Sequence, residues 1–252
     1  MIGKIRYKGS AMDPALLDLK PILTVAIRRR LNRFVVLVEH KGKMRRAHIN
    51  NTGRLEQFLV PGRTGFGLLP PRPGATDMRL FAVADGNAAA VIDTQLQMRA
   101  FERSVEAGLI PWLKGFTSFK RHAPQGHSQI DYRWEGAGAP LWLEAKSAVL
   151  RQGERAMYPD CPSLRGQRHI RTLTALTQAG GRAAVLFIAA LPRVNAFSPH
   201  RAADPVLSDL LKQAAASGVG LRAIGMYFDP GDAAVRLYAA DLPVKWPDAS
   251  AS

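Results

Sequence analysis

Asp131, followed after a gap of hairpin length by Glu144-Ala-Lys146, is a pattern with which metal-dependent nucleases often set a divalent cation beside a phosphodiester. Ser128 to Trp134 alternates apolar and polar residues, as a half-buried strand does, and Leu141 to Lys146 reads as a return strand. Gly136-Ala-Gly-Ala139 is a turn signal between them. If residues 136–139 form the loop, Glu135 faces Pro140 and Asp131 falls opposite Glu144. Glu144 and Lys146, two apart, share one face of their strand. Opposed carboxylates with Cβ atoms about 5 Å apart repel. A hard cation such as Mg²⁺ or Mn²⁺ between them removes the conflict and leaves open positions for substrate phosphate. Lys146 would hold the attacking water or offset charge on the phosphorus. The bland alternative is a surface hairpin with scattered charges, since acid-x-lysine alone is common.

The rest of the chain must position and feed this hairpin. Its 252 residues suit one large domain or two small ones. Residues 1–90 hold 16 Lys and Arg against 6 Asp and Glu, within a chain of net charge +15. Such a basic excess favours a polyanion, because neutralised phosphates release condensed counterions. An anionic membrane is the competing partner, but no basic amphipathic helix supports it and no apolar run reaches the ~18 residues of a membrane span. Asp13, Asp18 and Pro21 interrupt the apolar stretch near the N-terminus, which argues against a signal peptide. The single cysteine, Cys161, excludes an internal disulfide and a cysteine-rich zinc site. A cytoplasmic protein is expected.

Residues 1–21 and the last ten or so look loose. Thr24 to Phe81 reads as short strands with turns, including a hairpin over Phe34 to Ile49 turning at Lys41-Gly42. This predicts a small barrel, of which the OB-fold is one type, with a face suited to single-stranded nucleic acid. Beyond it, helices are predicted over 96–107, 163–178 with Ser163 as N-cap, and 204–217. Strands are predicted over 183–190, 221–228 and 233–240. That alternation indicates an α/β or α+β layer domain. The division is placed at 1–90 and 91–252.

Further candidates carry competing readings. Arg28, Arg29, Arg30 and Arg33 suit phosphate contact or a solvated strand end. Asn51-Thr52-Gly53 is a polar turn, most simply structural with Gly53 at positive φ. Arg165, Arg168 and His169, with Gln167 between, give the second of these helices a basic and amide-rich surface that would grip a substrate strand; a merely solvated face is the alternative. Gly166 inside that helix hints at close backbone approach. Glu102 on the helix before the hairpin is a candidate third carboxylate, though an isolated helical Glu is usually just solvated.

Taken in order, Arg30 to Phe34, His48 to Gly53, Val91 to Thr94, Gly108 to Ile110, Ser128 to Asp131, Glu144 to Ser147, Tyr158-Pro-Asp160, Arg165 to His169 and Phe197-Ser-Pro199 resemble the landmarks of the sugar fermentation stimulation protein A (SfsA) family. The resemblance spans nearly the whole chain. It implies an α+β two-domain protein: an N-terminal OB-like barrel followed by an α/β domain of the PD-(D/E)xK nuclease type. It also implies nucleic-acid binding, Mg²⁺-dependent nuclease chemistry at Asp131, Glu144 and Lys146, and a link to sugar-catabolic gene expression. A non-catalytic DNA-binding regulator of such genes is the alternative. There are departures. Arg103 stands where many members carry a Glu beside Glu102, the usual Val-Asn-Thr is Ile92-Asp-Thr94, and the segment Pro71 to Asp77 is changed.

Overall fold

A computed structural model describes residues 13–72 and 74–247. Five strands form a closed barrel: β2 (Leu23–Arg30), β3 (Val35–His40), β4 (Lys43–His48), β5 (Thr64–Leu68) and β6 (Met78–Asp85). They pair antiparallel in the order β4-β3-β2-β5-β6, and a parallel β4–β6 pairing closes the ring. Alternation sets the core. Val25 and Ile27 of β2 and Val36 and Val38 of β3 point inward and are buried, while β4 exposes Lys43 to Arg46. A bulge between Ile27 and Arg29 leaves Arg28 outside the ladder.

The β6 strand continues into β7 (Ala88–Val91), which joins the barrel to the second half. There α1 (Thr94–Glu106), β8 (Phe116–Gln125), β9 (Ser128–Gly136), β10 (Leu141–Ser147), α2 (Leu164–Gln178), β13 (Arg182–Ala189), α3 (Pro205–Ala216), β15 (Gly220–Asp229) and β16 (Ala234–Ala239) build a mixed α/β layer domain. Its sheet runs β15-β13-β10-β9-β8, parallel across β15, β13 and β10 and antiparallel beyond. The strands β11 (Leu150–Gln152), β12 (Arg155–Tyr158) and β14 (Ala196–Pro199) form a small second sheet. The first helix packs against β7 and β10, and α2 against β9, β13 and α3. Barrel and second half share one core, in which Phe66 and Phe81 meet Phe228 at 5.2 and 4.9 Å between ring centroids.

Three expectations need correction. Residues 15–18 are not loose: Ala15–Asp18 is a strand, β1, paired antiparallel with β16. It therefore lies on the sheet of the second half rather than with the barrel. Residues 243–245 are not frayed either, since Phe197 donates to Pro243 O and Lys245 to Phe197 O at 2.9 and 2.8 Å. The remaining residues of both termini, 1–12 and 248–252, lie outside the described set. Thirdly, β8 and the small sheet were not anticipated. β8 is an edge strand with most of its side chains exposed, so it lacks the alternating pattern that marks a half-buried strand.

Candidate active site

The strands β9 and β10 pair in the register Trp134↔Leu141, Arg133↔Trp142 and Tyr132↔Leu143. Continued by one residue, this sets Asp131 opposite Glu144. The backbone ladder stops there and the side chains take over. Ala145 donates its amide to Asp131 Oδ2 at 2.9 Å, and the Asp131 amide reaches Glu144 Oε2 at 3.3 Å. The strands thus part at the two acids, and each carboxylate caps the opposing backbone. On its other edge β10 stays paired with β13 from Leu141 to Ser147, so the opening has a rigid floor.

Glu144 is almost fully buried, at 2% exposure, and its Oε1 takes both Lys146 Nζ and His169 Nδ1 at 2.5 Å. Burial pushes the Glu144 carboxyl up, but Lys146 and His169 outweigh it and hold the group below its ordinary range. For Asp131, burial and the Glu144 charge push the carboxyl up, and Lys146, the Ala145 amide and His169 only partly oppose them. Burial works to lower the Lys146 pKa; Glu144, Tyr158 and Asp131 reverse that and raise it, so Lys146 is a cation in the cleft.

These groups line a cleft of about 430 Å³ between the two halves. Arg33 and the segment Asn50 to Gly53 enter it from the barrel side, and Tyr158 to Arg165 from the other. Ser163 caps α2 by accepting from Gly166 N at 3.0 Å, and no acidic residue occupies that helix's first turn. A helix N-terminus presents unsatisfied N–H groups and partial positive charge, a favourable setting for a phosphate. Space at Gly166 is tight: a Cβ there would lie 3.0 Å from Ser163 Oγ and 3.1 Å from the Tyr158 hydroxyl, so those groups would have to give by a few tenths of an ångström. Sequence reasoning noted Tyr158-Pro-Asp160 but gave it no role at the site. Tyr158 is half-buried in the cleft beside Lys146, and the Tyr158 phenol is pushed up chiefly by desolvation.

Of the predicted site residues, Asp131, Glu144, Lys146, Arg33, Asn51, Thr52, Gly53 and Arg165 meet in this cleft. The others do different work. Glu102 is not with the other acids: it pairs with Arg121 and accepts from the Tyr132 hydroxyl at 2.8 Å. Tyr132 and Asp131 are consecutive on one strand, so their side chains leave by opposite faces, and Glu102 lies with Tyr132. Arg30 is committed to the backbone and is not among the cleft-lining residues. It spends its guanidinium on the carbonyls of Asn32, Arg33, Gly53 and Arg54 at 2.6–3.1 Å. Arg28 is paired with Glu39, and Arg29 is exposed on β2 outside the cleft. Gln167 is buried and bonds Asp204, the N-cap of α3, at 3.1 Å. His169, at 1% exposure, is too buried to touch substrate and instead orients Glu144. Arg168 is exposed on α2.

The Asn51–Gly53 turn is structural as well as cleft-lining. Asn51 accepts from Gly53 N and donates to Ile92 O, each at 2.9 Å. Positive φ is not what Gly53 supplies. A Cβ there would come within 2.5 Å of Asp160 Oδ2, so glycine is needed for close approach. The departure at Asp93 is also accommodated, since that buried residue caps α1 and is neutralised by Arg79.

The chain belongs to the sugar fermentation stimulation protein family. Residues 29–92 match the SfsA N-terminal OB domain, and residues 95–232 match the sugar fermentation stimulation protein RE domain. A sugar fermentation stimulation protein homolog of Pyrococcus furiosus is 45% identical over 214 residues, 85% of this chain and 93% of that protein. One from Archaeoglobus fulgidus is 44% identical over 198 residues, 79% and 86% of the respective chains. The structure of Pyrococcus furiosus SfsA in complex with Ca²⁺ superposes with a TM-score of 0.88 at 42% identity, covering 92% of this chain and 99% of that one. Among the described residues no helix is long and apolar enough to cross a membrane.

Proposed function

We propose that this protein is a metal-dependent phosphodiesterase that binds and cleaves nucleic acid. The observation that carries this reading is the meeting of Asp131, Glu144 and Lys146 where β9 and β10 part, inside a cleft rimmed by Arg33, Arg165 and the start of α2. The donor set suits a hard cation. Among the described residues Asp131 Oδ1 has no hydrogen-bond partner, and Glu144 Oε2 has only the long bond from Asp131 N, while the other oxygen of each carboxylate is held by shorter ones. Among the described residues no group of three or more His, Cys, Asp or Glu side chains is arranged to hold a metal, and His169 meets Glu144 as a hydrogen-bond partner. Two suffice for Mg²⁺ or Mn²⁺, which commonly complete their coordination with water and substrate phosphate. The related Pyrococcus furiosus SfsA, solved in complex with Ca²⁺, supports the same assignment.

A cation held by Asp131 and Glu144 would polarise a phosphoryl oxygen and lower the pKa of a bound water. The chain's own residues do the rest. Lys146, held as a cation by Glu144, offsets charge that develops on the phosphoryl oxygens. His169 and Lys146 fix Glu144 in one rotamer, so that its second oxygen is presented without rearrangement. Arg33, Arg165 and the α2 N-terminus hold the flanking phosphates. The basic barrel, within residues 1–90, retains the strand, while the catalytic residues come from residues 91–252.

The test is cleavage of labelled single- and double-stranded DNA and RNA by the purified protein with Mg²⁺ or Mn²⁺. Asp131→Ala and Glu144→Ala are expected to abolish cleavage and retain binding, and Lys146→Ala to lose about 10²-fold in rate. Residual cleavage that is identical in wild type and Glu144→Ala would overturn the reading in favour of a non-catalytic DNA-binding regulator.

A further inference from the structure

Phe34 is exposed to solvent over 47% of its surface, and no other aromatic residue among those described is exposed to that degree. The segment that carries it is nevertheless tightly braced. Leu31 and Asn32 both donate to Val35 O, at 2.8 and 3.2 Å. Asn32 Oδ1 accepts from Phe34 N at 2.9 Å, and Phe34 O accepts from Ile49 N at 2.8 Å. Arg30, half-buried behind this turn, holds the carbonyls of Asn32 and Arg33. The backbone is thus preorganised while the ring is left in water, an arrangement that core packing does not explain.

The surroundings specify what the ring would meet. The guanidinium of Arg33 lies 5.8 Å from the Phe34 centroid, and Arg33 itself lines the cleft. Arg54, whose carbonyl is tied to the same Arg30 guanidinium, is exposed nearby. A flat apolar face beside Arg33 and an exposed Arg54 that is only loosely paired with Glu56, at 3.9 Å, next to a cleft lined by Arg33 and Arg165, complements a nucleotide whose base is unpaired. A protein or lipid partner would use the apolar face but leave the surrounding cations without phosphates in a defined place. A duplex offers phosphates, but its base faces are already stacked on each other.

We propose that Phe34 is a stacking platform for an unpaired base, and that it makes single-stranded nucleic acid the preferred occupant of the barrel side of the cleft. This rests on the phosphodiesterase reading for the direction in which the strand runs, from platform to acids. A stacked base contributes enough that loss of its aromatic partner is expected to weaken binding roughly tenfold. Stacking is not ionic, so the dependence on salt should be untouched, whereas Arg33→Ala should flatten it.

The experiment uses the full chain in EDTA, where cleavage does not interfere. Fluorescence anisotropy measures binding of a labelled single-stranded oligonucleotide and of the same sequence as a blunt duplex, each over a range of salt. Phe34→Ala should bind the single strand about tenfold more weakly with an unchanged salt slope, and the duplex as wild type does. Phe34→Trp should bind the single strand at least as well as wild type, which separates stacking from any effect on folding. A 2-aminopurine in the strand should be quenched by wild type and Phe34→Trp and not by Phe34→Ala. Equal single-strand affinity for wild type and Phe34→Ala, or equal losses on strand and duplex, would overturn the platform while leaving the phosphodiesterase reading in place. Absence of salt-dependent binding by wild type to either probe would overturn both.

Discussion

Gly53→Ala tests how the barrel is seated on the second half. An ideal Cβ at Gly53 falls 2.5 Å from Asp160 Oδ2, 2.9 Å from Oδ1 and 3.0 Å from Cγ. The nearest of these is roughly 1 Å inside the ~3.5 Å at which such atoms attract best. The carboxylate cannot withdraw freely, because its Oδ2 accepts the Leu55 amide at 3.1 Å. The Asn51–Gly53 turn cannot retreat freely either, because Arg30 holds the carbonyls of Gly53 and Arg54 and Asn51 is tied to Ile92 O. Clearing the methyl therefore either sacrifices the charge-assisted bond to Leu55, worth about 1.5–3 kcal/mol, or leaves packing strain of similar order. A loss of about 2–3 kcal/mol is expected, which for a chain of this size lowers Tm by roughly 4–12 °C. The sign should reverse in an Asp160→Ala background. With the carboxylate gone the three closest contacts of the methyl disappear, and Gly→Ala at a φ outside the left-handed region reduces the entropy of the unfolded chain, stabilising by about 0.4–1 kcal/mol. Urea denaturation of the two single variants and the double variant measures this as a coupling of roughly 2 kcal/mol or more. Additive effects, or a Gly53→Ala protein as stable as wild type, would refute the close-approach account of this glycine.

Glu102→Gln should reduce stability by about 1–3 kcal/mol, since Arg121 and the Tyr132 hydroxyl lose a charged partner, yet leave the affinity for Ca²⁺ or Mg²⁺ unchanged in calorimetric titration; a large loss of cation affinity would return Glu102 to the site. His169→Ala should weaken cation binding about 10–100-fold, the usual consequence of removing a group that orients a ligand, with oligonucleotide binding in EDTA preserved. Arg30→Ala should lower stability by about 2–4 kcal/mol without flattening the salt dependence of oligonucleotide binding, because that guanidinium is spent on backbone carbonyls; a flattened slope would make it a phosphate contact after all.

The Asp131, Glu144 and Lys146 group was legible because its geometry is local. Strand alternation and one turn signal suffice to oppose two acids and set a lysine on the same face, and both are written in adjacent residues. The barrel hairpin and the α2 N-cap at Ser163 were readable for the same reason. What lay beyond the sequence was which partner each polar group takes across the fold. Arg28, Arg29, Arg30 and Arg33 look alike in a row, yet one pairs with Glu39, one stands exposed on β2, one clamps a turn and one lines the cleft. Glu102 and His169 sit on helices whose rotation and seating come from side chains distant in the chain, so their spacing alone could not tell a cation ligand from a partner of Tyr132, or a substrate contact from a brace for Glu144. The first strand, β1, pairs with β16 at the other end of the chain, a contact with no local signature at all. Local periodicity and turn chemistry therefore determined the acidic hairpin and the kinds of element. Burial and long-range pairing, which depend on how the layers close, decided which of the candidate charges face the cleft.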